Sequence, residues 1–442
     1  MKVRTWKWAT AGIALGVLVA ACATTKVTGS GPHPPQPGSA EPSPAPAPEP
    51  VTPGGFASSG DGQFDAWRDA FAAKATFTGR KPETVRAVLD GLVPVEATAQ
   101  AQSFDNQAEF VKPIWDYAKS AVSPTRVANG QAKLAVNADT FTAIEAAYAP
   151  PREILAAVWG MESAYGAVIG NEDAPRVLAS QAAVGRRKDF NEQELAAIMR
   201  LIDDGSATRE QFRKASWAGA IGQTQFMPSS IIQYGKDFDG DGHKDLWTNA
   251  GDALASAGNY LQAFGWKKGE PWAVEATIPA GFDYSYGDGR KFTVAAWKAI
   301  GITPVMPATF NDTDILSAEL FLPAGSYGPA FLLFDNFYVI KKYNNADSYA
   351  LAIGLLADRL AGRPDLTRPW PTDIQMLTQE QAKDLQAGLN KLGFSAGVVD
   401  GIIGRGTRGA LQKFQKSKDL VADGFPTVAM LTAVSEAAGS AG

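Results

Sequence analysis

Apolar residues recur at helical spacing along most of the chain, and this periodicity restricts the fold more than any other feature. Phe64, Trp67 and Phe71 show the pattern first. Four later stretches repeat it: residues 141–147, 192–202, 250–264 and 349–360. Such spacing places one apolar stripe along a helix. Strand signals are short and lie between residues 274 and 333, so the sequence predicts a mainly α-helical body with minor β structure.

Length and rare residues exclude several kinds of protein. A chain of 442 residues is too long for one small core and predicts two or more folded units. The formal net charge of -5 gives no reason to expect nucleic acid as a partner. Cys22 is the single cysteine, which excludes an intrachain disulfide. Because the only histidines are His33, in a proline-rich stretch, and His243, in an acidic loop, acid–base chemistry falls to Asp, Glu, Lys or Tyr.

The N-terminal part predicts an export signal and a tether. Basic residues precede a short apolar run, which is typical of a secretory signal peptide over residues 1–21. The run ends in Leu-Val-Ala-Ala-Cys, which resembles a bacterial lipobox and implies a lipid on Cys22; a plain signal peptide followed by an incidental cysteine is the alternative. Ala23 resembles an outer-membrane sorting residue, so we expect a periplasmic protein anchored to the outer membrane. Residues 22–62, rich in proline and glycine, predict a tether.

One carboxylate lies on an otherwise apolar helical face. Four residues share that face at the spacing i, i+3, i+4 and i+7: Leu155, Val158, Trp159 and Glu162. Burial disfavours the charged form, so we expect a raised pKa for Glu162. A carboxylic acid that stays neutral near pH 7 is able to protonate a glycosidic oxygen. A structural glutamate, paired with an arginine or leaning to the surface, is the alternative that the spacing leaves open.

Residues 218–230 predict a polar loop that suits a ligand rich in hydroxyl and amide groups. Gly219 and Gly222 permit close backbone approach. Gln223 and Gln225 offer amide donors and acceptors beside them. A polysaccharide has this chemistry.

Segments 158–166 and 218–230 together resemble the B-type lytic murein transglycosylases, and the resemblance extends over about residues 64–360. It implies a lysozyme-like, goose-type catalytic domain over residues 63–362, with Glu162 as general acid and base. In this family the C6 hydroxyl of N-acetylmuramic acid attacks its own C1, which leaves a 1,6-anhydro sugar and requires neither water nor a cofactor. The resemblance and the polar loop give these candidate substrate-binding residues: Ser216, Gln223, Gln225, Tyr260, Tyr343, Asn344 and Tyr349.

Two other functions remain open from the sequence. A muramidase of the same fold would hydrolyse the same bond, and hydrolytic glycosidases use two carboxylates. A second acid does not stand out in the motif segments, and Asp173 and Asp189 have no motif to support them. The other alternative is a non-catalytic wall-binding scaffold, against which Glu162, Ser216 and Gln225 argue together.

A second unit follows the proline-punctuated linker 363–376. Thr378 and Gln381 have the spacing of a capping box, and apolar residues follow at helical spacing. A turn with the sequence DGIIGRGT comes next at 400–407. These features resemble the three-helix peptidoglycan-binding module of wall enzymes, which implies such a domain over residues 377–437; a helical hairpin with a glycine-rich turn is the alternative. We expect peptidoglycan strands as the partner and a monomeric chain.

An acidic, glycine-rich loop begins at residue 237. Its carboxylates alternate as in the first half of an EF-hand calcium loop, but Thr248 stands where that loop has its bidentate glutamate. Some members of the resembled family close such a loop with a later aspartate. The candidate ligands of a structural calcium ion are therefore Asp237, Asp239, Asp241, His243 and Asp252. The alternative is an Asp-Gly turn whose side chains cap their own backbone.

Overall fold

The computed structural model of the protein describes residues 52, 54–96, 107–185, 187–305 and 313–440. The predicted signal peptide, Cys22 and most of the predicted tether lie outside the described residues. Within the described ranges, no helix has both the length and the apolar character needed to cross a membrane.

The described chain before residue 270 folds largely into helices, as its periodicity predicts. Proline occupies the first turn of several of them, where its missing N–H leaves no hydrogen bond unmade. The helices are α1 (Gly62–Phe77), α2 (Pro82–Leu89), α3 (Ala108–Val111), α4 (Ile114–Ala121), α5 (Pro124–Val136), α6 (Ala138–Tyr148), α7 (Arg152–Ser163), α8 (Ala174–Ala183), α9 (Lys188–Asp203), α10 (Pro228–Tyr234) and α11 (Ala250–Ala263).

A small antiparallel sheet follows, in the region where the sequence predicts strands. Its strands are β1 (Ala273–Thr277), β2 (Lys291–Thr293), β3 (Thr303–Pro304), β4 (Ser317–Phe321) and β5 (Ala330–Leu333), in the order β2-β4-β5-β1-β3. The short helix α12 (Val294–Ala299) closes one face, because Trp297 is fully buried against the sheet and donates its indole N–H to the Ala318 carbonyl at 2.8 Å.

Two helices after the sheet return the chain to the helical body. They are α13 (Asp335–Tyr343) and α14 (Asp347–Leu360). Apolar residues face every side of α14 and most of them are buried, so it runs through the main core instead of along its surface. It packs against α4 and α7, and this packing decides which side chains meet α7.

Three further helices complete the described chain: α15 (Gln379–Lys391), α16 (Arg405–Ser417) and α17 (Val428–Ser440). The predicted capping box is present at the start of α15, where Thr378 and Gln381 bond each other's backbone N–H. Leu385, Leu411 and Phe414 form a separate small core. The fold class is thus mainly helical with a minor sheet, as predicted, whereas the exact domain boundaries stay predictions.

Candidate active site

Helix α7 carries Glu162 into the core. The carboxyl group is 2% exposed, and the Tyr349 hydroxyl of α14 donates a 2.5 Å hydrogen bond to its Oε1. Its Oε2 is buried and has no hydrogen-bond partner among the described residues. Burial raises the pKa of Glu162 to about 8; the Tyr349 hydrogen bond acts in the opposite direction, and the negative charge of Glu109 raises the pKa further. The group is therefore a neutral acid at pH 7, with one oxygen free to act.

Helix α7 ends directly after Glu162 in a left-handed turn. Ala164, Tyr165 and Gly166 have φ angles of 50°, 62° and 82°, of which the first two are uncommon for residues with a Cβ. Tyr165 is held there because its hydroxyl donates to the Arg126 carbonyl at 2.8 Å and its ring fills the space that a Cβ on Gly160 would need. The turn thus fixes the end of the helix on which Glu162 lies.

The polar loop packs against this turn. Gly222 has a φ of 76°, and a Cβ there would lie 2.5 Å from the Leu246 carbonyl oxygen, so the backbone approach that the sequence predicts does occur. The Ser163 hydroxyl donates to the Gln223 carbonyl at 2.5 Å. Since Ser163 is the neighbour of Glu162, the loop and the acid are held in one arrangement.

Gln223 and Gln225 of the polar loop differ in whether the side-chain amide is free to bind a ligand. Gln223 uses both ends of its amide inside the chain: Oε1 accepts from the Trp159 indole at 3.0 Å, and Nε2 donates to the Trp247 carbonyl. Gln225 donates to the Gly222 carbonyl at 2.8 Å, but its buried Oε1 has no partner among the described residues. Gln225 is thus the loop amide with an unused acceptor.

Ser216 lies at the entrance to the same loop. It is buried, and its oxygen accepts from the backbone N–H of Ala218 and Ala220 at 3.3 and 3.0 Å. These bonds use the oxygen as an acceptor only. The hydroxyl proton is therefore left for another acceptor, such as a sugar oxygen.

Two predicted tyrosines form an aromatic wall beneath the loop. Tyr260 and Tyr343 pack with ring centroids 5.1 Å apart, and both contact Phe226. The Tyr343 hydroxyl donates to the Thr224 carbonyl at 2.7 Å, and the Tyr260 hydroxyl donates to the Lys342 carbonyl at 2.6 Å. Both are more than 90% buried, so their visible contacts support the loop.

Asn344 is also buried, and it bonds Glu109, a residue that the sequence analysis did not indicate. Its Nδ2 donates to Oε1 of Glu109 at 3.1 Å, and its Oδ1 accepts from the Ala346 N–H. Tyr117 of α4 is a second missed residue: it is buried, and its pKa is raised by burial and then by the charges of Glu109 and Glu162. Neither residue stands in a segment that the motifs cover, so no sequence signal indicated them.

Within the described part of the chain, neither Asp173 nor Asp189 contacts Glu162. Asp173 forms a bidentate pair with Arg209 at 2.6 and 2.7 Å, and Asp189 is exposed at the start of α9. The acid whose charge acts on Glu162 is Glu109.

Three of the five predicted calcium ligands come together in the acidic loop. Carboxylate oxygens of Asp237, Asp239 and Asp252 lie within 4.8 Å of one another, whereas Asp241 and His243 are exposed and are not part of that cluster. Hard carboxylate oxygens suit a calcium ion, so this donor set fits the metal.

Hydrogen bonds in the acidic loop also support the alternative, an Asp-Gly turn whose side chains cap their own backbone. Asp237 accepts from the backbone N–H of Gly240 and Gly242, both at 2.8 Å. Asp252 accepts from Phe238 and Asp245, also at 2.8 Å; burial and then the charges of its two acidic neighbours raise its pKa. The side chains thus cap their own loop, while the repulsion among them is what a cation would relieve.

Sequence families match both parts of the chain. Residues 63–358 match the family described as "Transglycosylase SLT domain", and residues 378–434 match "Putative peptidoglycan binding domain". The chain is 33% identical over 275 residues to Membrane-bound lytic murein transglycosylase B of Escherichia coli (strain K12), an alignment that covers 58% of this chain and 72% of that protein.

Several solved structures have folds similar to that of this chain. SltB3 from Pseudomonas aeruginosa, in complex with NAG-NAM-pentapeptide, is 41% identical with a TM-score of 0.78, over 85% of this chain and 100% of that one. Lytic transglycosylase Slt35 of Escherichia coli, in complex with bulgecin A, is 30% identical with a TM-score of 0.58, over 67% and 92% of the two chains. The same enzyme in complex with calcium is 29% identical, with a TM-score of 0.57 and the same coverage.

Proposed function

Because the chain belongs to the family of transglycosylase SLT domains, we infer that it is a lytic transglycosylase of peptidoglycan and propose that Glu162 is its general acid and base. The observation that carries this assignment is a buried carboxyl group with one free oxygen and a raised pKa of about 8. A relative is solved with NAG-NAM-pentapeptide. We therefore take the peptide-bearing glycan strand as the substrate and the MurNAc-GlcNAc β-1,4 bond as the one cleaved.

The reaction proceeds through one carboxyl group. Neutral Glu162 donates its proton to the glycosidic oxygen as the bond from that oxygen to C1 of the muramic acid breaks. The resulting carboxylate takes the proton of the C6 hydroxyl, whose oxygen then bonds to C1 and closes the 1,6-anhydro ring. Each proton that leaves Glu162 is thus returned. The Tyr349 hydroxyl stabilises the carboxylate between the two steps, because it donates to Oε1.

Sugar recognition falls to the polar loop in this proposal. Ser216 and Gln225 are the strongest candidates, since Ser216 keeps a hydroxyl proton and Gln225 keeps an unused Oε1. Gln223, Tyr260 and Tyr343 support the loop through their recorded contacts. Their direct contact with sugar stays a prediction, as does that of Asn344.

Hydrolysis by water is the rival reaction. It needs a second carboxylate that activates a water molecule. The acid that acts on Glu162 is Glu109, which is 6% exposed and bound to Asn344. A carboxylate already engaged by Asn344 is poorly suited to activate an attacking water molecule, which favours the anhydro reaction.

The proposal extends to the parts that surround the catalytic domain. Residues 377–437 bind peptidoglycan and residues 363–376 link them to the catalytic domain over 63–362. Export through residues 1–21 brings the protein to the periplasm, where a lipid on Cys22 and the tether 22–62 anchor it to the outer membrane as a monomer. The name of the Escherichia coli relative, which calls it membrane-bound, supports the anchor.

A structural calcium ion is the remaining element of the proposal. Asp237, Asp239 and Asp252 would hold it, and its charge would offset the repulsion among them. A related enzyme is solved in complex with calcium. Such an ion would stabilise the loop, while the proton transfers depend on Glu162 alone.

The test is digestion of purified peptidoglycan by the chain from residue 59 onward, beside its Glu162→Gln variant. Mass spectrometry of the soluble fragments distinguishes the reactions, because anhydro products are one water lighter than hydrolytic ones. We expect anhydro products from the wild type and none from Glu162→Gln, with both proteins still pelleting with the wall.

Other outcomes contradict the proposal. Reducing-end muramic acid would make the protein a muramidase. Equal release by the two proteins would remove Glu162 from the mechanism. No release by either protein, with both still bound, would favour the scaffold.

A further inference from the structure

The start of helix α14 lacks the side-chain cap that many helices have. Its N-cap residue is Ala346, which has no polar side chain to satisfy the first N–H groups. Asn344 partly replaces the cap, since its Oδ1 accepts from the Ala346 N–H at 3.1 Å. The amide of Asn344 is itself fixed at its other end, where Nδ2 donates to the carboxylate of Glu109. Glu109 therefore determines the orientation of the group that holds the start of α14.

Glu109 makes a second contact in the first turn of the same helix. The Ser348 hydroxyl donates to the backbone carbonyl of Glu109 at 2.6 Å. The next residue is Tyr349, fully buried, whose hydroxyl lies 2.5 Å from Oε1 of Glu162. Glu109 thus contacts the chain just before Tyr349 at two points, through its side chain at Asn344 and through its backbone carbonyl at Ser348.

We propose that Glu109 is a positioning residue, which fixes the start of α14 through Asn344 and Ser348 so that the Tyr349 hydroxyl meets Glu162. The inference rests on the function proposed above and adds to it a residue that touches neither the substrate nor the reacting atoms. Glu109 belongs to the four-residue helix α3, which precedes Glu162 in the chain by more than fifty residues and contacts both α4 and α14.

The charge of Glu109 adds a second effect on the acid. The groups that face Glu162 from the elements around it are Glu109 of α3, Tyr117 of α4, Tyr343 of α13 and Tyr349 of α14. On α5, Lys133 lies over the Trp159 ring and Arg126 acts on Tyr117 and Tyr165. Among the described residues no lysine or arginine forms an ion pair with Glu162, so the one formal charge acting on it is negative.

The two influences on Glu162 act in opposite directions. A neighbouring anion disfavours a second anion in a poorly solvated interior, so Glu109 favours the neutral form that donates the proton. The hydroxyl of Tyr349 favours the carboxylate that takes the proton back. Through its contacts Glu109 also holds Tyr349 in place, so one residue supports both halves of the proton cycle.

The experiment compares two substitutions of Glu109 by their pH–rate profiles. Glu109→Gln keeps an oxygen that accepts from Asn344 but removes the charge. We expect the alkaline limb of kcat/KM to move to lower pH by about half a unit or more, since the pKa of the acid falls once the like charge is gone. Glu109→Ala removes the Asn344 contact too, and we expect kcat to fall by at least about tenfold in addition.

Two further variants separate positioning from general damage. Glu192→Gln is the matched control: Glu192 is 7% exposed, bonds Trp67 and Lys74 of α1 and is not among the groups that act on Glu162, so the pH–rate profile should stay where it is. The double variant Glu109→Ala/Tyr349→Phe should be hardly slower than the slower single variant, because both changes disrupt the same contact. If Glu109→Ala does not fold, Ser348→Ala takes its place, since it removes only the hydroxyl contact.

The outcomes are distinct from those that test the proposed function. A wild type that releases anhydro products through Glu162, together with a Glu109→Gln profile that does not move, would overturn the role of the charge. Fully additive effects of the Glu109 or Ser348 and Tyr349 substitutions would overturn the positioning role. A wild type without anhydro products would overturn the proposed function itself.

Discussion

At the scale of single residues, the surroundings of Glu162 explain how one carboxyl group is able to serve as acid and then as base. Burial is the largest influence, and it raises the pKa to about 8. The hydrogen bond from Tyr349 limits this rise, so the carboxylate remains accessible as an intermediate. Without that bond the pKa of the buried acid would be higher still, and release of its proton would be less favourable.

Tyr349→Phe tests this balance. It removes the hydrogen bond that lowers the pKa of Glu162, so the pKa should rise above about 8 and the alkaline limb of kcat/KM should move to higher pH. We also expect kcat at neutral pH to fall by about tenfold or more, because a hydrogen bond to a charged group contributes about 1.5–3 kcal/mol. The measurement is release of anhydro fragments between pH 5 and 10.

The direction in which the alkaline limb of kcat/KM moves distinguishes loss of the Tyr349 hydrogen bond from loss of the Glu109 charge. Glu109→Gln should move the same limb to lower pH, so the two variants serve as opposed controls. A Tyr349→Phe profile that moved to lower pH, or that kept the wild-type kcat, would contradict the role given to the hydroxyl.

At the scale of elements, the acidic loop is a self-capped turn that also has the donors for a cation. Backbone N–H groups already occupy Asp237 and Asp252, so the loop has a defined shape without metal. The three clustered carboxylates nevertheless repel one another. A loop with this balance is expected to fold alone and to become more stable with calcium.

Calcium should therefore raise the melting temperature of the wild type, because a ligand that binds only the folded state stabilises it by about 2.7 kcal/mol at a hundredfold excess over its Kd. Asp237→Asn should abolish the rise, since it removes a clustered ligand. Asp204→Asn is the matched control, because Asp204 is an exposed turn residue outside the loop. The measurement is thermal unfolding with chelator, then with calcium or magnesium.

The Asp241→Asn variant distinguishes the sequence pattern from the observed cluster. An intact calcium response would agree with the three-carboxylate cluster, whereas a lost response would favour the wider EF-hand pattern. Identical melting curves for the wild type with chelator and with millimolar calcium would contradict the calcium proposal.

At the scale of the whole molecule, the C-terminal helices are docked on the rest of the protein. The Asp423 carboxylate accepts from the backbone N–H and the hydroxyl of Ser326, at 2.8 and 2.6 Å. Phe425 packs against Trp115 of α4 and Tyr327, in a small cluster of its own. Trp115 lies two residues from Tyr117, so this contact reaches the helix that also borders the candidate active site.

Asp423→Ala should loosen this contact without stopping the catalytic chemistry. The substitution removes the two hydrogen bonds from Ser326 and also those that the other carboxylate oxygen accepts from Gln415 and Phe425. We expect proteolytic cleavage in the linker 363–376 to become about tenfold faster or more. Asp384→Ala is the control, because Asp384 is an exposed residue of α15. Timed digestion with thermolysin, which cleaves before apolar residues such as Leu366 and Ile374, measures the effect, because both arginines of the linker precede proline and resist trypsin. Equal cleavage rates for the two variants would contradict the docking role of Asp423.

Local patterns in the sequence determined the elements and the position of the acid. The helical periodicity, the capping box at Thr378 and the placement of Glu162 on a buried face of α7 all depend on residues within about two helical turns of one another. The glycines of the polar loop are also a local signal, because a positive φ such as that of Gly222 is a property of the residue's own backbone and favours glycine. These features were therefore predictable from the chain alone.

The family resemblance named Tyr349 and Asn344 as site candidates, but only tertiary packing decided what each of them bonds and that the charge of Glu109 acts on the acid. Tyr349 and Glu162 are 187 residues apart, and Asn344 and Glu109 are 235 residues apart. No spacing rule links such positions, because their meeting depends on how α14 crosses α7 and on where a four-residue helix packs. The sequence thus determined a helical wall enzyme with a buried glutamate, whereas the packing of distant helices decided that a tyrosine and a second carboxylate control its proton.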